Sequence, residues 1–594
     1  MSQAQQPQVE RQLDPITFEV LRRSFEYAPE RMSQVLQKAS FSPIIYDMVD
    51  YSNAIFDPNV ELIGQTANCP VHIAAMHFSA RASLERFPLN ELAPDDVVIL
   101  NDPYRGGTHT PDVTLTMPIF YDGDLLAFAV SRAHWTDVGG NLDTHIGGEG
   151  LRLPPLMLYK EGELNVDLIE IIKNCTRTPQ YVEGDIQAQL GALRVGRDEL
   201  VRLADKYGPE VVREGMTEIL DYTQTMTAAA IRRIPDGVYE ASDYVDSDGF
   251  SDDPVYVRVK LIVKGDRIEV DLSDSDPVTV GPINSPYGNT ASAVYYSLKF
   301  FLNPDAPPNA GLYRQIDLNI PEGTWLNPKW PAPTFGCTTA SSSKITAAIW
   351  KALEKAIPDE IIAPTCSECN WFVASATDPQ SGDLSVLSDL PAGGWGGTPF
   401  HDGMHVTMDP LGNCQNLPAE TAELLFPVRY NSYEMTTDSA GPGQYRGGSG
   451  VRLEVEFLGR GQIITMETSR TREGSPGVNG GKRASRQRQL RRKEDGNLET
   501  IGGLADDGTW YPQMLGNVGF QPGESFIFES GGGGGWGDPF KRDPQLVLQD
   551  VRNEIVSRKQ AEETYGVVLT DTLEVDSEAT EARRRQSAPT TSGQ

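Results

Sequence analysis

Apolar residues recur at helical spacing over residues 16–40, where Phe18, Leu21, Phe25 and Met32 share one face, so a helix is predicted there. Pro29 is expected to kink or split it, and Ser42-Pro43 to end it. Residues 47–57, DMVDYSNAIFD, read as a strand with polar ends and Asp50 in its first half. Residues 69–87 open as CPVHIAAMHF and become helical. Two runs rich in β-branched residues, 113–120 and 125–131, flank Asp122-Gly123, a hairpin signal. A long helix is predicted over 183–207, with Gln187, Gln189, Arg194 and Arg197 as solvated positions. From Gly237 the period drops to two, giving strands over 239–245, 255–263 and 267–272. Helices follow over 290–302 and 344–356, an alternating strand after GPGQYRGGSG, and an amphipathic helix over 544–565. These elements predict an α+β fold with mixed antiparallel sheets and flanking helices.

The same pattern divides the chain. Residues 1–13 are expected to be flexible, 14–236 to form an α/β part, and 237–542 a β-rich part with Gly-rich loops. A C-terminal helical stretch covers 543–572, and the charged, Ser/Thr-rich residues 573–594 are expected to be disordered. The glycine-dense PAGGWGGTPFHDGMH reads as a close backbone approach or as a surface loop.

Composition narrows the chemistry. At 594 residues with 39% hydrophobic content the chain can bury a sizeable core. A net charge of -32 argues against nucleic-acid binding, which needs a basic face. The dense basic run KRASRQRQLRRK, residues 482–493, reads as a solvated loop, or as a dock for an acidic subunit or a phosphate. No apolar run approaches the roughly 20 residues that span a bilayer. MSQAQQPQVERQL lacks a signal-peptide core, so no membrane partner and a cytoplasmic location are expected. Six cysteines imply no disulfide framework, and the single CxxC, Cys366 and Cys369, reads as reduced thiols. There is no internal repeat, no GxxxxGK[ST] loop and no GxSxG elbow.

The candidate chemistry lies in VILNDPYRGGTHTPDVTLTMPIFYDGDLLAFAVSRAHWTDVGG. His109 and Asp112 would fall on opposite faces of a straight strand, but Pro111 allows a bend that turns both to one point. The hairpin then returns His134 to the same end. Two imidazoles and a carboxylate make a site for zinc, manganese or iron with positions left open. Equally, the two histidines could be loop residues bonded to backbone. Asp50 needs a partner, whether Arg, Lys, metal or substrate. His72 and His77, five apart, are expected to make separate polar contacts. The loop from Gly147 to Pro155 is a place for substrate contacts.

Several motifs carry a family resemblance: DPITFEVLR, DYSNAIFD, LNDPYRGGTHTPDV, SRAHWTDVGG, EGLRLPPLMLY, GPINSP, GQYRGGSG, GGGGGWGDP and RDPQLVLQDVRNEIVSRKQA. In this order the chain resembles the B-type subunit of the hydantoinase B/oxoprolinase family, which is similar to subunits of ketone carboxylases. The resemblance implies a hydantoinase B-like fold and a hetero-oligomer with an A-type subunit that uses ATP and Mg to activate a carbonyl substrate. It implies metal ligands at His109, Asp112 and His134, with Asp50 beside them as ligand or base, and catalytic roles for Asp50, His109 and His134. Two reactions fit. In one, water opens a cyclic amide with Asp50 taking its proton; in the other, an enolate attacks carbon dioxide from bicarbonate. The apolar Pro43-Ile44-Ile45-Tyr46 tilts the expectation marginally to a ketone carboxylase of the acetone or acetophenone type, if it faces substrate rather than core. The alternative is a hydantoinase- or 5-oxoprolinase-type hydrolase. A non-catalytic assembly role is a third reading, opposed by the presence of all three metal-binding side chains.

Overall fold

In the computed structural model, which describes residues 13–586 apart from residues 67, 467, 468 and 515 and the side chain of Ile73, Asp14 starts the first helix. Its carboxylate accepts the N–H groups of Ile16 and Thr17, and α1 (Pro15–Ala39) buries Phe18, Leu21, Phe25, Met32 and Leu36. Pro29 lies inside α1 without splitting it. The expected flexibility of residues 1–12 lies outside the described residues.

A short helix, Pro43–Tyr46, then precedes β1 (Tyr51–Phe56) and β2 (Leu62–Gln65). After α2 (His72–Arg86) and β3 (Val97–Leu100) comes the hairpin of β4 (Asp112–Tyr121) and β5 (Asp124–His134). Asp122 and Gly123 have φ of 50° and 91°, the left-handed pair a tight hairpin turn requires. With β6 (Leu156–Lys160) and β7 (Glu163–Leu164) these strands form an antiparallel sheet in the order β2-β1-β5-β4-β3-β6-β7. The hairpin register sets Asp112 directly opposite His134. Helix α3 (Pro179–Tyr207) packs on α1 and on this hairpin. Gln189 is not solvated as expected: it is buried under the hairpin, and Nε2 donates to the Val113 and Ser131 carbonyls at 3.1 and 3.3 Å. A buried strand pair with carbonyls facing a helix needs such a donor.

The second half contributes three more sheets among the described residues. Strands β8 (Gly237–Val245), β9 (Val255–Lys264) and β10 (Arg267–Asp271) join β11 (Ile316–Asn319), which follows α4 (Tyr287–Leu302). A π-helical turn, Cys337–Ser341, leads into α5 (Ser342–Ala356). Next come β12 (Phe372–Thr377), β13 (Leu384–Asp389), β14 (Val428–Met435), β15 (Val451–Phe457) and β16 (Gly461–Thr465). The last are β17 (Arg488–Arg492), β18 (Leu498–Leu504), β19 (Trp510–Tyr511), β20 (Val518–Phe520) and β21 (Ser525–Glu529). They pair as β13-β12-β16-β20 and β14-β15-β21-β17-β18-β19. One hydrophobic cluster runs from Phe18 to Phe528 and joins both halves of the chain.

Three expectations change here. The core of the basic run is not a loop but β17, an inner strand, where Glu529 on the adjacent β21 and Glu454 on β15 beyond it take the charges of Arg488 and Arg492. The helix expected over 544–565 is two, α6 (Pro544–Arg552) and α7 (Arg558–Glu563), with Glu554 at φ 59° turning the chain between them. Residues 573–586 are not disordered: α8 (Ser577–Gln586) forms, and Arg584 donates to the carbonyls of Tyr565 and Arg542 at 3.1 and 2.8 Å. Residues 587–594 lie outside the described residues.

The glycine-dense stretch makes its close approach to other glycine loops. Gly394 N–H donates to Gly531 O at 3.1 Å, and Gly397 N–H to Gly534 O at 2.9 Å. A Cβ on Gly394 would stand 2.0 Å from Gly448 O, and one on Gly533 1.9 Å from Trp395 O, so no larger residue fits either place. No helix among the described residues is long and apolar enough to cross a membrane.

Candidate metal centre

Three local features build the site. The TPD bend turns His109 back, so that its Nε2 lies 3.2 Å from Asp112 Oδ1. The hairpin return brings the His109 and His134 rings to 5.1 Å between centroids. Asp50 precedes β1, and its carbonyl accepts the His134 N–H at 3.1 Å. All four expected residues line one cavity of about 30 Å³, with Cys69, Cys414 and Trp371 among the others around it.

His72 is the residue that spacing arguments missed. Its Nε2 is 3.4 Å from Asp112 Oδ2, and its Nδ1 lies 3.1 Å from Ser52 Oγ. The two histidines of CPVHIAAMHF do part company, as expected. His77 turns away and donates through Nδ1 to Val60 O at 2.8 Å. His72, at the start of α2, joins the cluster as a third imidazole.

The surroundings orient these groups. His109 donates from Nδ1 to Phe335 O at 2.9 Å, which leaves Nε2 for the centre, the arrangement usual in metal-binding histidines. Glu149 holds that loop, accepting the N–H groups of Thr334 and Phe335 at 2.7 and 2.9 Å. Thus Glu149 serves the site from behind, rather than as a substrate contact. Thr108 donates to Asp112 at 2.5 Å, and buried Arg132 reaches Thr108 Oγ1 at 3.5 Å and Ser79 Oγ at 2.6 Å. Trp371 stands edge-on to His134 with centroids 5.3 Å apart and stacks on Phe335. The second half of the chain therefore walls a site whose imidazoles and carboxylates come from the first. Arg152 and Trp330 line a separate surface pocket of about 720 Å³.

Protonation follows from burial and neighbouring charge. Burial, and then the cationic His109, push His134 down to about 3, so it is neutral. Burial likewise lowers His72. For His109 burial is outweighed by Asp112, the Phe335 carbonyl and Asp50, which hold it above the usual histidine range. Burial would raise Asp112, but His109 and His72 hold it far below the ordinary carboxylate range. Burial and the Asp112 charge push Asp50 up to about 7. Of the three imidazoles, His109 is thus the one favoured as a cation, set against the Asp112 carboxylate.

Donors for a divalent cation gather here: those of Asp50, Cys69 and Cys414 lie within 4.8 Å of one another, and His72, His109, Asp112 and His134 line the same cavity. Buried His134 Nδ1 has no hydrogen-bond partner, an expense a structural histidine avoids. A cation would take the place of the His109 proton against Asp112, with neutral His72 and His134 beside it.

Against known proteins, a family model for hydantoinase B/oxoprolinase matches residues 14–539. The chain belongs to the hydantoinase B/oxoprolinase family. Within it, the beta subunit of the caprolactamase of Pseudomonas jessenii is 33% identical over 96% of this chain and 99% of its own. The B-type subunit of a putative D-/L-hydantoinase from a Pseudomonas species is 30% identical over 97% of this chain and 98% of its own. The crystal structure of the ATP-dependent caprolactamase from P. jessenii superposes with a TM-score of 0.89 at 32% identity, covering 97% of this chain and all of that one. An acetone carboxylase structure gives a TM-score of 0.83, covering 96% of this chain and 83% of that one. At 19% identity that likeness shows a shared fold alone. The mixed α/β architecture with several antiparallel sheets is thus that of the hydantoinase B proteins.

Proposed function

We propose that this chain is the metal-bearing subunit of an ATP-dependent enzyme that opens a cyclic amide, working with an A-type subunit that activates the carbonyl with ATP and Mg. The observation that carries this reading is the end-to-end likeness to a caprolactamase subunit and a hydantoinase subunit, both named for cyclic-amide substrates. It supports the hydrolase alternative better than ketone carboxylation. The one local feature that favoured a ketone fails as well. Ile44 and Ile45 are buried in the core and neither lines the cavity. Instead, a groove of about 1120 Å³ meets the cavity at Cys414 and is lined by Gln34, Gln65, Asn68, Asn413, Gln415 and Asn416 beside Glu26 and Glu30. Neutral carboxamides of this kind suit a polar ring amide.

In this reading His109, Asp112, His134 and His72 hold a zinc, manganese or iron ion. Such an ion supplies Lewis acidity and brings the pKa of water towards neutral. The chain's own groups do the rest. Asp50, in the same cavity, is the carboxylate placed to accept the proton of the attacking water. The Phe335 carbonyl fixes the His109 ring, and Trp371 and Leu411 wall the cavity with apolar surface. The test is to co-purify the chain with its A-type partner and supply a lactam or hydantoin with ATP and labelled bicarbonate. Ring opening without incorporation of label is expected; label in the product selects carboxylation and overturns this reading.

A further inference from the structure

The cavity carries two further donors that the imidazole cluster does not use, the thiols of Cys69 and Cys414, on the other side of Asp50. Cys69 Sγ, Cys414 Sγ and an Asp50 oxygen lie within 4.8 Å of one another. Both thiols are buried and free. They come from opposite halves of the chain, Cys69 just before α2 and Cys414 in the loop after Met408. Close backbone holds them: Cys69 Sγ is 3.7 Å from Leu411 O, and Cys414 Sγ 3.3 Å from Gly412 O. Ser52 ties this corner to the imidazoles, since its Oγ receives the Cys69 N–H at 3.4 Å and meets His72 Nδ1. The other cysteines stand apart. Cys369 turns to Met408 Sδ at 3.6 Å, and Cys366 to Glu368 O at 3.5 Å, so the CxxC pair does not converge.

We infer that Cys69, Cys414 and Asp50 form a second cation position, selective for a soft divalent ion of the zinc class, beside the imidazole-bearing one. Two sulfurs and one carboxylate oxygen within this span make a three-donor set that favours zinc over manganese or magnesium. Asp50 has two oxygens, so it can face the thiols with one and the Asp112–His109 pair with the other. Binding replaces the two thiol protons, which leave to solvent as the ion enters. The inference rests on the reading of the imidazole cluster as a metal centre and adds to it. With the thiol position filled, Asp50 is a ligand, so its role as proton acceptor belongs to the chain with that position empty. Excess soft cation should then slow turnover.

The test is titration of the metal-stripped full-length chain with Co²⁺, read by absorption. Two equivalents are expected, one of them bringing a near-ultraviolet sulfur-to-cobalt charge-transfer band. In Cys69→Ser/Cys414→Ser, shown folded by circular dichroism, that band and one equivalent should vanish while the other equivalent stays. X-ray absorption of the zinc-loaded native chain should show sulfur at about 2.3 Å. Wild-type chain saturated with cobalt but lacking the thiolate band, or a single equivalent bearing both imidazole and sulfur signatures, overturns the inference. Loss of the imidazole equivalent with the thiolate band retained would instead overturn the reading of the histidine cluster.

Discussion

Two buried ionic clusters in this molecule look alike in composition and differ in one respect. At the glycine loops, Arg542 donates to Asp402 at 2.6 and 2.7 Å and to Asp550 at 2.8 Å. Arg446 donates to Asp550 at 3.0 Å, and Asp402 accepts the Arg446 N–H at 2.9 Å. Two cations meet two anions, and their charges balance. At the hairpin end, three imidazoles and two carboxylates converge, and a buried ring nitrogen, His134 Nδ1, stands unpaired. The first cluster is complete as it is and pins α6 to the GQYRGG loop. The second keeps an unpaired donor, which the proposed cation would engage. Satisfaction, not residue type, separates the fastener from the reactive centre.

Breaking the unsatisfied cluster should give the largest effect. His134→Ala removes a group that leaves no stranded partner at Nδ1, so the melting temperature should stay near that of the wild type. Turnover of the assembled enzyme should fall by more than the about 10–100-fold typical of an outer partner of a metal ligand. Activity assays beside thermal melts measure both. Breaking the satisfied cluster should do the reverse. Asp550→Ala leaves Arg446 and Arg542 short of a partner in the interior, for an expected loss of about 3–5 kcal/mol in denaturant unfolding. Turnover per folded molecule should be unchanged.

The supports behind the centre come next. Ser52→Ala removes the hydroxyl against His72 Nδ1, and Glu149→Ala removes the carboxyl oxygen that accepts the Thr334 and Phe335 N–H groups. Each should weaken metal affinity by about 10–100-fold in competitive chelator titrations, with smaller losses in turnover at saturating metal.

A third cluster sharpens the comparison with the smallest effect. Asp243 is paired with Arg470 at 2.7 Å and Lys351 at 3.0 Å, while buried Lys344 nearby has no hydrogen-bond partner at Nζ. Burial, with Arg470 adding its charge, pushes Lys344 down to about 8. The unfolded chain holds that proton up to about 10.4, so the unfolded state binds more protons between these values. The penalty is therefore full below pH 8 and fades as pH rises to about 10.4. Lys344→Met should raise the melting temperature at pH 7, and its advantage over wild type should shrink across that window.

Much of the first half was legible because its signals are local. Asp122-Gly123 fixed the hairpin turn, and the hairpin in turn set His134 opposite Asp112. His72 was not legible, because its route to Asp112 depends on where α2 starts against the sheet, not on its spacing from His77. The partners of the basic run were likewise hidden: Glu454 and Glu529 are distant in sequence and adjacent only through β15 and β21. The glycine loops announced close backbone approach but not their partner, which proved to be each other. Motifs marked both clusters equally, since HDG, GQYRGG and the KRDP helix meet in the ion-paired one, and only three-dimensional pairing tells them apart.

The metal content of the full-length chain after exhaustive dialysis, set against that of His109→Ala/His134→Ala, tests the central claim most directly. The account predicts that the wild type retains a divalent ion bound through imidazole and that the folded double variant holds one ion fewer per chain. Equal metal content in the two proteins, or none in the wild type, would contradict it.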